Sequence, residues 1–518
     1  MIERKSPFTS GYYGPLGAYL QLPLLALSSL ILLIGGKIES LRDLQFLVVT
    51  HEGYFLFIPR VISAMFGVLS VIATYALSKE LFSNKRAALW ASFFAAVSFN
   101  MVHISHQARP WSGAVFFSIL ASIFVVKSLK DYKNEYKNTL LAFITSALSF
   151  GFHQIAGLSA IFVILTRIFE RKVQVHNVFS KVNLAGFLTW FILISAFNFL
   201  SLKGKFFTLL NYRSNEASSI AYTKLPQTLN SLKDFLTFFV HKNDFLAIFK
   251  MLFLSDGVIV LLAVLFLVSK AAKRKVLYGF FIFVLVNFLL SIFIFQTLSR
   301  NYLIAFSFLP IFAGFQINHI LTTSKRRLMI ITLVLIVSGF NSVYWNILLL
   351  KKPTFIELRE WLDQNIDQRT PIASTNRRNF DYVPSLEAIL PVRTINPGYY
   401  KAATDIIGDS YPENVRNVIY LNEFSGSKTE TFNKATQLYK ILYVVDSYWA
   451  AGDRFLNTQN SNNLKLIAHF SPSMGQIYDY LPNILFDSGL IFNTDRLYFL
   501  FDVDRAGPYF DVLKVKTN

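Results

Sequence analysis

Long apolar stretches alternate with short charged segments over about the first two thirds of the chain. A helix that crosses a bilayer needs about 20 mostly apolar residues, because each backbone amide in hydrocarbon must be bonded within its own segment. Such runs predict about 10–11 apolar membrane helices in residues 1–351. They lie at residues 16–35, 58–78, 87–103, 110–127, 139–155, 156–168, 183–201, 246–268, 277–297, 301–322 and 328–349.

The pattern changes after residue 351. An apolar stripe at helical spacing follows first, formed by Phe355, Leu358, Leu362 and Ile366. Short β-prone runs come next, at residues 418–421, 441–445, 464–470, 497–503 and 510–515. The sequence therefore predicts a mainly α polytopic membrane bundle over residues 1–351 and a small C-terminal α/β soluble domain over residues 352–518.

Charge is distributed unevenly between these two parts. The formal net charge is +19; residues 353–518 hold 16 basic and 19 acidic side chains, so residues 1–352 hold 34 basic and 12 acidic ones. The basic residues lie in clusters between apolar runs, which is typical of cytoplasmic loops and not of a nucleic-acid-binding stripe. We expect a multi-pass plasma membrane protein whose C-terminal domain is extracytoplasmic, with no nucleic-acid partner. Whether residues 16–35 span the membrane stays open.

The predicted outer face collects ionisable groups beside apolar helices. An arginine at the bilayer centre costs about 2.5–3.5 kcal/mol on insertion scales, so such groups are candidates for function. In the segment HISHQARPW, His103, His106 and Arg109 have the spacing and chemistry to bind phosphate oxygens. The alternative is an ordinary interfacial turn in which Arg109 snorkels to the headgroups and Trp111 anchors the helix.

Other cationic or polar residues occur at the outer ends of predicted helices. Arg300 and Tyr302 open the helix SRNYLIAFSFLP, Arg60 follows a proline, and His153 lies in a polar turn. Each is a candidate contact for the phosphate of a donor lipid, and each could instead be a flanking interfacial residue. A metal site on His103 and His106 is disfavoured because no acidic residue lies nearby in sequence. We expect no cofactor; a divalent metal is possible but has no support in the sequence.

Carboxylates in the first outer segment are candidates for catalysis. Sugar transfer needs a base that accepts the proton of the acceptor as the glycosidic bond breaks. Glu39, Asp43 and Glu52 could each serve, and each could equally be a solvated loop charge. The chain has no cysteine, which excludes disulfides, zinc–thiolate sites and thiol catalysis.

Several stretches together resemble one family. Residues 12–19 (YYGPLGAY), residues 60–82 (RVISAMFGVLSVIATYALSKELF) and residues 103–111 (HISHQARPW) resemble the N-terminal half of GT-C glycosyltransferases. The likeness is greatest to the protein mannosyltransferase and aminoarabinose-transferase-like branch. Residues 300–310 (RNYLIAFSFLP) resemble an arginine–aromatic motif of that group, and ELREWLDQNI resembles the helix that opens its outer soluble domain.

The resemblance implies the inverting transfer of a sugar from a polyprenyl-phosphate donor to a protein, lipid or glycan acceptor at the outer membrane face. By position it implies that Arg109, Arg300 and Tyr302 contact the donor phosphate. The group begins with a membrane helix followed by an acidic motif, and this sequence starts after both. We therefore expect one of three explanations: Met1 is an internal start or reflects a truncated gene, another carboxylate replaces the motif, or the chain is an inactive relative.

The main alternative is a transporter or flippase of a lipid-linked or anionic substrate. Such proteins place charges near the midplane on broken helices, often in two related halves. The sequence shows no convincing internal repeat and few charges within the apolar runs. A glycosyltransferase is therefore the favoured hypothesis.

Overall fold

The computed structural model describes most of the membrane helices and much of the α/β domain. The residues described are 16–153, 156–157, 159–160, 165, 181–200, 242–269, 277, 280–288, 299–375, 382–390, 399–421, 424, 428–448, 454, 463–473, 504–505 and 507–516. The predicted apolar run at 156–168 and the β-prone run at 497–503 lie largely or wholly outside them.

Five helices among these residues are long and apolar enough to cross a membrane. They span Leu16–Ile34, Phe55–Phe82, Trp111–Lys130, Tyr302–Thr323 and Arg327–Asn365, and a bent pair, Lys85–Val97 with Phe99–Ser105, is a sixth candidate. The chain is thus a multi-pass membrane protein, and the mainly helical fold class predicted from the sequence is confirmed.

The helices of the membrane part have the following bounds. They are α1 (Leu16–Tyr19), α2 (Leu22–Ile34), α3 (Leu41–Thr50), α4 (Glu52–Phe82), α5 (Lys85–Val97), α6 (Phe99–Ser105), α7 (Trp111–Lys130), α8 (Glu135–Phe152), α9 (Lys181–Leu200), α10 (Lys242–Leu267), α11 (Ser299–Phe306), α12 (Leu309–Thr323) and α13 (Arg327–Leu350).

The chain divides into two compact units. The first comprises the described residues of Met1–Leu24 and Ile58–Val343, and the second those of Leu25–Phe57 and Tyr344–Asn518. The sequence-based boundary at residue 351 lies close to this second junction. It did not anticipate that residues 25–57 would belong with the C-terminal part.

Two helix groups build the first unit. In one, α7 packs against α8 and α8 against α9, and the hydroxyls of Ser118 and Ser149 are 2.8 Å apart across the first pair. In the other, α12 packs against α5 and α10. A Cβ built on Gly314 of α12 would overlap with the backbone of Ala91 in α5, so these two helices need a residue without a side chain at 314. Such small-residue contacts are how membrane helices approach closely.

A single continuous helix over 87–103 is a wrong prediction. The helix breaks at Ser98, and α5 and α6 meet at a bend of 55°. A second break occurs in α10, where Asp256 has the non-helical backbone angles φ −133° and ψ 36°. Neither position carries proline, but Ser255 and Gly257 flank the break in α10, and Ser98 caps the start of α6.

The second unit contains a five-stranded mixed sheet. Its elements are α14 (Thr354–Asn365), β1 (Ile372–Ser374), β2 (Val383–Pro384), α15 (Leu386–Ile389), α16 (Tyr399–Ile407), β3 (Val415–Arg416), β4 (Val418–Tyr420), α17 (Lys428–Tyr439), β5 (Tyr443–Tyr448), β6 (Leu464–Phe470) and β7 (Tyr509–Val515). The strand order is β4-β1-β5-β7-β6, with β1 parallel to both neighbours and β7 antiparallel to both of its own. The second, small sheet pairs β2 with β3.

Alternation along the strands separates two apolar layers. Ile372, Val445 and Val512 lie on one face with Leu358 and Leu362 of α14, which confirms the predicted apolar stripe of that helix. Ala373 and its sheet neighbours on the other face pack against Phe432 and Ala435 of α17. Both faces of the parallel strands are therefore covered, as parallel sheets require.

The helix α3 is part of this second unit. Its residue Val49 is buried with Ala403, Ile407 and Val415 of the α/β domain. The side-chain amide of Asn414 also donates to the carbonyl oxygen of Thr50 at the end of the helix. Residues near the start of the chain thus help to complete the core of the domain that ends it.

A buried arginine of β3, in the two-stranded sheet, is hydrogen-bonded to the end of α14. The side chain of Arg416 is fully buried and donates to the carbonyl oxygens of Leu362 (2.8 Å) and Ile366 (2.9 Å) at the end of α14, and to Asp363 Oδ1 at 3.0 Å. Its guanidinium also lies 5.1 Å from the ring centre of Tyr382. A cation at the C-terminal end of a helix satisfies carbonyl groups that have no partner within the helix.

We predict that Arg416→Ala strongly destabilises this domain. Removal of Arg416 leaves the carbonyl groups of Leu362 and Ile366 without this donor, and an unsatisfied buried polar group costs about 1–3 kcal/mol. Hydrogen exchange of α14 in the full-length protein should therefore accelerate by about 10-fold or more. Arg359→Ala is the control, because Arg359 makes only a half-exposed pair with Asp363 at 3.8 Å and should change exchange little. Equal effects of the two changes would contradict the structural role of Arg416.

A second polar chain joins α14 to residues that precede β7. Asp504 is paired with Lys351 and lies 3.2 Å from Arg505, which is in turn paired with Glu357. The hydrogen bond from Lys351 and the neighbouring cations hold the pKa of Asp504 below its usual value. A lowered carboxyl pKa in the folded state means that the stabilisation is present above the unfolded pKa and fades as the pH falls.

We therefore predict that Asp504→Asn lowers the free energy of unfolding of the domain near neutral pH. The size of this loss should decrease as the pH falls. The difference from the wild type should shrink below about pH 4, where an unfolded aspartate begins to bind a proton. Hydrogen exchange of α14 from pH 7 to pH 3 in both proteins measures this. A difference that grows towards low pH would have the wrong sign for this interaction.

Candidate functional site

The segment HISHQARPW joins two helices of the first unit. Ser98 begins α6, where its hydroxyl accepts from the amide of Met101 at 3.4 Å, and His106 ends the helix. Pro110 then lies at the start of α7, a position that proline favours because the missing amide proton has no partner there anyway. A short helix, a tight turn and a long helix thus place four ionisable or aromatic side chains close together.

The two histidines of this segment occupy different environments. His103 is 3% exposed, its ring lies parallel to that of Phe99 at 5.8 Å, and its Nε2 is 2.9 Å from the side-chain nitrogen of Gln107. His106 is exposed, and its Nδ1 lies 2.8 Å from the carbonyl oxygen of Val102. In the described residues no group of three or more histidines and carboxylates could hold a metal ion.

Arg109 and His153 flank the start of α7. Arg109 is half-buried, and its backbone amide donates to the carbonyl oxygen of Gln107 at 2.7 Å, which closes the turn. His153 ends α8 and is 1% exposed; its ring stacks on the fully buried indole of Trp111 at 3.8 Å. The structure thus brings the end of α8 to the beginning of α7, and His153 supports the turn from within the protein.

Arg300 and Tyr302 lie on α11, a helix that packs against both α6 and α7. Tyr302 is fully buried among aromatic rings, with the rings of Phe288 and Phe306 at 5.5 Å and 5.7 Å. The side chain of Arg300 lies outside the described part of the structure. Two segments almost 200 residues apart in sequence therefore meet on neighbouring helices.

Arg60 lies on α4, which runs beside the same turn. One helical turn after it, the Ser63 hydroxyl is 3.1 Å from that of Ser112 in α7 and donates to the carbonyl oxygen of Ile104 at 3.4 Å. Gly67, a further turn on, leaves no room for a Cβ beside Ser105. The side chain of Arg60 is exposed. The helix that carries Arg60 is therefore in direct contact with α6 and α7.

The candidate carboxylates belong to the second unit. Asp43 caps α3: its Oδ2 accepts from the amides of Glu39 (3.0 Å) and Ser40 (2.8 Å) and from the Ser40 hydroxyl (2.8 Å). The hydrogen bond from Ser40 is the main cause of a pKa below the usual value for Asp43. Glu39 is exposed, and the side chain of Glu52 lies outside the described residues. Among the three, Asp43 has a defined orientation.

The sequence analysis missed Asp256. This carboxylate of α10 accepts from the backbone amides of Phe99 (2.7 Å) and Asn100 (3.4 Å), from the Ser98 hydroxyl (3.1 Å) and from the Asn100 side chain (2.8 Å). It therefore holds the first residues of α6, the helix that carries both histidines. A possible sequence signal was an aspartate followed by glycine inside an apolar run, since an ionisable residue at membrane depth is a functional candidate.

The arrangement suits an anion. Arg109 and His106 lie at one turn, Arg60 lies on a helix that contacts it, and Arg300 begins a helix that packs beside it. A guanidinium group can bind two phosphate oxygens at once, and of these side chains Arg109 is half-buried whereas Arg60 and His106 are exposed.

No family model matches the chain, and no curated protein is significantly similar to it. Among solved structures, the archaeal oligosaccharyltransferase AglB from Archaeoglobus fulgidus, in complex with an inhibitory peptide and a dolichol-phosphate, overlaps with 85% of this chain at a TM-score of 0.47 and 12% identity. The chain spans 63% of the length of that protein.

ArnT from Cupriavidus metallidurans, bound to undecaprenyl phosphate, overlaps with 83% of this chain and 85% of its own at a TM-score of 0.40 and 12% identity. The same protein in its apo state gives a TM-score of 0.41 at 11% identity. At TM-scores below 0.5 and identities this low, the overlaps carry no argument about activity. The functional case rests on the residues of this chain.

The different burial of the two histidines predicts different reactivity of cysteines placed there. His106→Cys should react quickly with a water-soluble maleimide, and His103→Cys at least about 10-fold more slowly, since a buried thiol reacts only when its surroundings open. Because the chain has no cysteine, each variant carries a single thiol. Similar rates in the folded, detergent-solubilised protein would show that His103 is accessible.

Proposed function

We propose that this protein is a membrane glycosyltransferase that moves a sugar from a polyprenyl-phosphate donor to an acceptor at the outer face of the plasma membrane. The observation that carries the proposal is the packing of α11 against α6 and α7. The helix to which Arg300 belongs is therefore a neighbour of the two helices on either side of the Arg109 turn, although Arg300 and Arg109 are distant in sequence. A guanidinium group suits the phosphate of a lipid carrier.

The same cations suit the chemistry of the leaving group. In the proposed reaction an acceptor oxygen or nitrogen attacks the anomeric carbon from the face opposite the phosphate, and the bond between that carbon and the phosphate oxygen breaks. The electron pair of that bond remains on the polyprenyl phosphate, whose negative charge grows. Arg109, Arg300 and, from α4, Arg60 would stabilise this charge more in the transition state than in the bound donor.

The remaining need is a base for the proton of the acceptor. Asp43 is the candidate with a defined orientation, because it accepts three hydrogen bonds at Oδ2. Glu39 and Glu52 remain candidates for the same role.

Orientation and acceptor are parts of this proposal. Basic clusters in alternate loops support a cytoplasmic side opposite the HISHQARPW turn, with the α/β domain outside the cytoplasm. The acceptor would be a protein, a lipid or a glycan. A protein mannosyltransferase-like role in the cell envelope agrees with the sequence resemblance.

Removal of either arginine should weaken donor binding. We expect Arg109→Ala and Arg300→Ala each to raise the dissociation constant for a polyprenyl phosphate in nanodiscs by at least about 10-fold, because each removes a charge-assisted hydrogen bond to phosphate. Arg86→Ala is the control, since Arg86 is exposed at the start of α5, the predicted cytoplasmic end. Unchanged binding in both test variants, with normal expression, would refute the phosphate site.

The role of Asp43 can be separated from its capping of α3. Asp43→Asn should lower the transfer rate by about 10²-fold or more, since a general base contributes about 10²–10⁴-fold. Ser40→Ala removes the main capping partner and leaves the carboxylate, so it should lower stability by about 0.5–2 kcal/mol while most of the rate remains. Equal loss of rate in both variants would assign Asp43 a structural role only.

A further inference from the structure

The break between α5 and α6 exposes backbone groups inside the membrane part of the protein. The first amides of a helix have no partner within it, and in hydrocarbon such groups must be bonded by other parts of the protein. Asp256 supplies this bond for the amides of Phe99 and Asn100, as described above. Asp256 is also the residue at which α10 kinks.

Polar side chains of α13 complete the same cluster. The side-chain amide of Asn341 donates to the carbonyl oxygen of Ser255, next to the kink, at 3.0 Å. The hydroxyl of Ser342 donates to the carbonyl oxygen of Val97, at the end of α5, at 2.7 Å. Asn100 also donates to the Ser255 hydroxyl at 2.8 Å. Asp256 thus bonds the amides at the start of α6, and α13 donates to one carbonyl oxygen at each of the two breaks.

We propose that Asp256 is a positioning residue: it fixes the direction of α6 and thereby the position of Arg109, in the turn after α6, relative to the phosphate of the lipid donor. The role of that phosphate rests on the proposed function. The carboxylate of Asp256 accepts four bonds from α6 and its cap, three at Oδ2 and one at Oδ1. Its effect on the reaction passes through the helix that it holds.

The position of α6 is fixed at both ends by this arrangement. Asp256 holds the first residues, while Ser63 and the close approach of Gly67 to Ser105 hold the last ones. Loss of the contact between Asp256 and the start of α6 would let the helix rotate about its other end, which Ser63 and Gly67 hold. Arg109, four residues beyond the end of α6, would then lose its alignment with α11.

The direction of α6 can be measured without substrate. The cysteine-free chain allows a spin-label pair at Leu89→Cys, exposed on α5, and Ala108→Cys, in the turn after α6. In full-length protein in nanodiscs we expect one narrow distance for the otherwise unchanged chain. Asp256→Ala should broaden or shift it, and Asp256→Asn, which keeps one acceptor oxygen, should have an intermediate effect. Ser255→Ala is the matched control, since it removes one neighbouring bond and leaves the capping of α6.

Without the labels, Asp256→Ala should weaken binding of a polyprenyl phosphate by at least about 10-fold, and Ser255→Ala by less than twofold. An unchanged distance in Asp256→Ala would overturn the proposal; if that variant does not insert, an unchanged distance in Asp256→Asn would do so. If the distance broadens but polyprenyl phosphate binds to no form, the proposed function fails while the control of α6 by Asp256 stands. If binding depends on Arg109 but not on Asp256, only the positioning role fails.

Discussion

The membrane part of this protein is governed by the need to bond every backbone polar group that leaves a regular helix within an apolar surrounding. A straight helix meets that need by itself, and a broken helix needs help from other segments. Here Asp256, at the kink of α10, accepts from the first amides of α6, while Asn341 and Ser342 of α13 donate to the carbonyl oxygens of Ser255 and Val97. These bonds satisfy the irregular start of α6, and the candidate site lies at its other end.

The same constraint explains which features the sequence predicted. Long apolar runs identified most of the membrane helices, because hydrophobic length alone determines what can span a bilayer. Ser98 caps α6 locally, but the first amides of α6 are also held by Asp256, about 160 residues later. In the α/β domain, the run at 464–470 coincides with β6, whereas the docking of α3 depends on Val49 meeting residues beyond 400. Contacts of that kind leave no periodic signal in one sequence.

The candidate site was predictable only in part. Residue type and position singled out Arg109, Arg300 and the histidines, and the structure places their helices together. Burial was not predictable: His103 and His153 are almost fully enclosed, and Tyr302 lies among aromatic rings. Asp43 was predicted from its charge alone. Its carboxylate also takes part in a capping box with Ser40, and the spacing of these two residues in the sequence is the signal for that box. Asp256 was overlooked because it lies within an apolar run.

The inclusion of α3 in the second unit has a consequence for biosynthesis. The parts of that unit are separated by roughly 290 residues of the chain, between Phe57 and Tyr344. At about 5–20 residues per second, a ribosome needs roughly 15–60 s to make this stretch. During that time the partners of Val49 have not been made, so α3 stays without this core until residues 403–415 emerge from the ribosome. A fragment that begins at residue 352 would lack this helix however long it was left to fold.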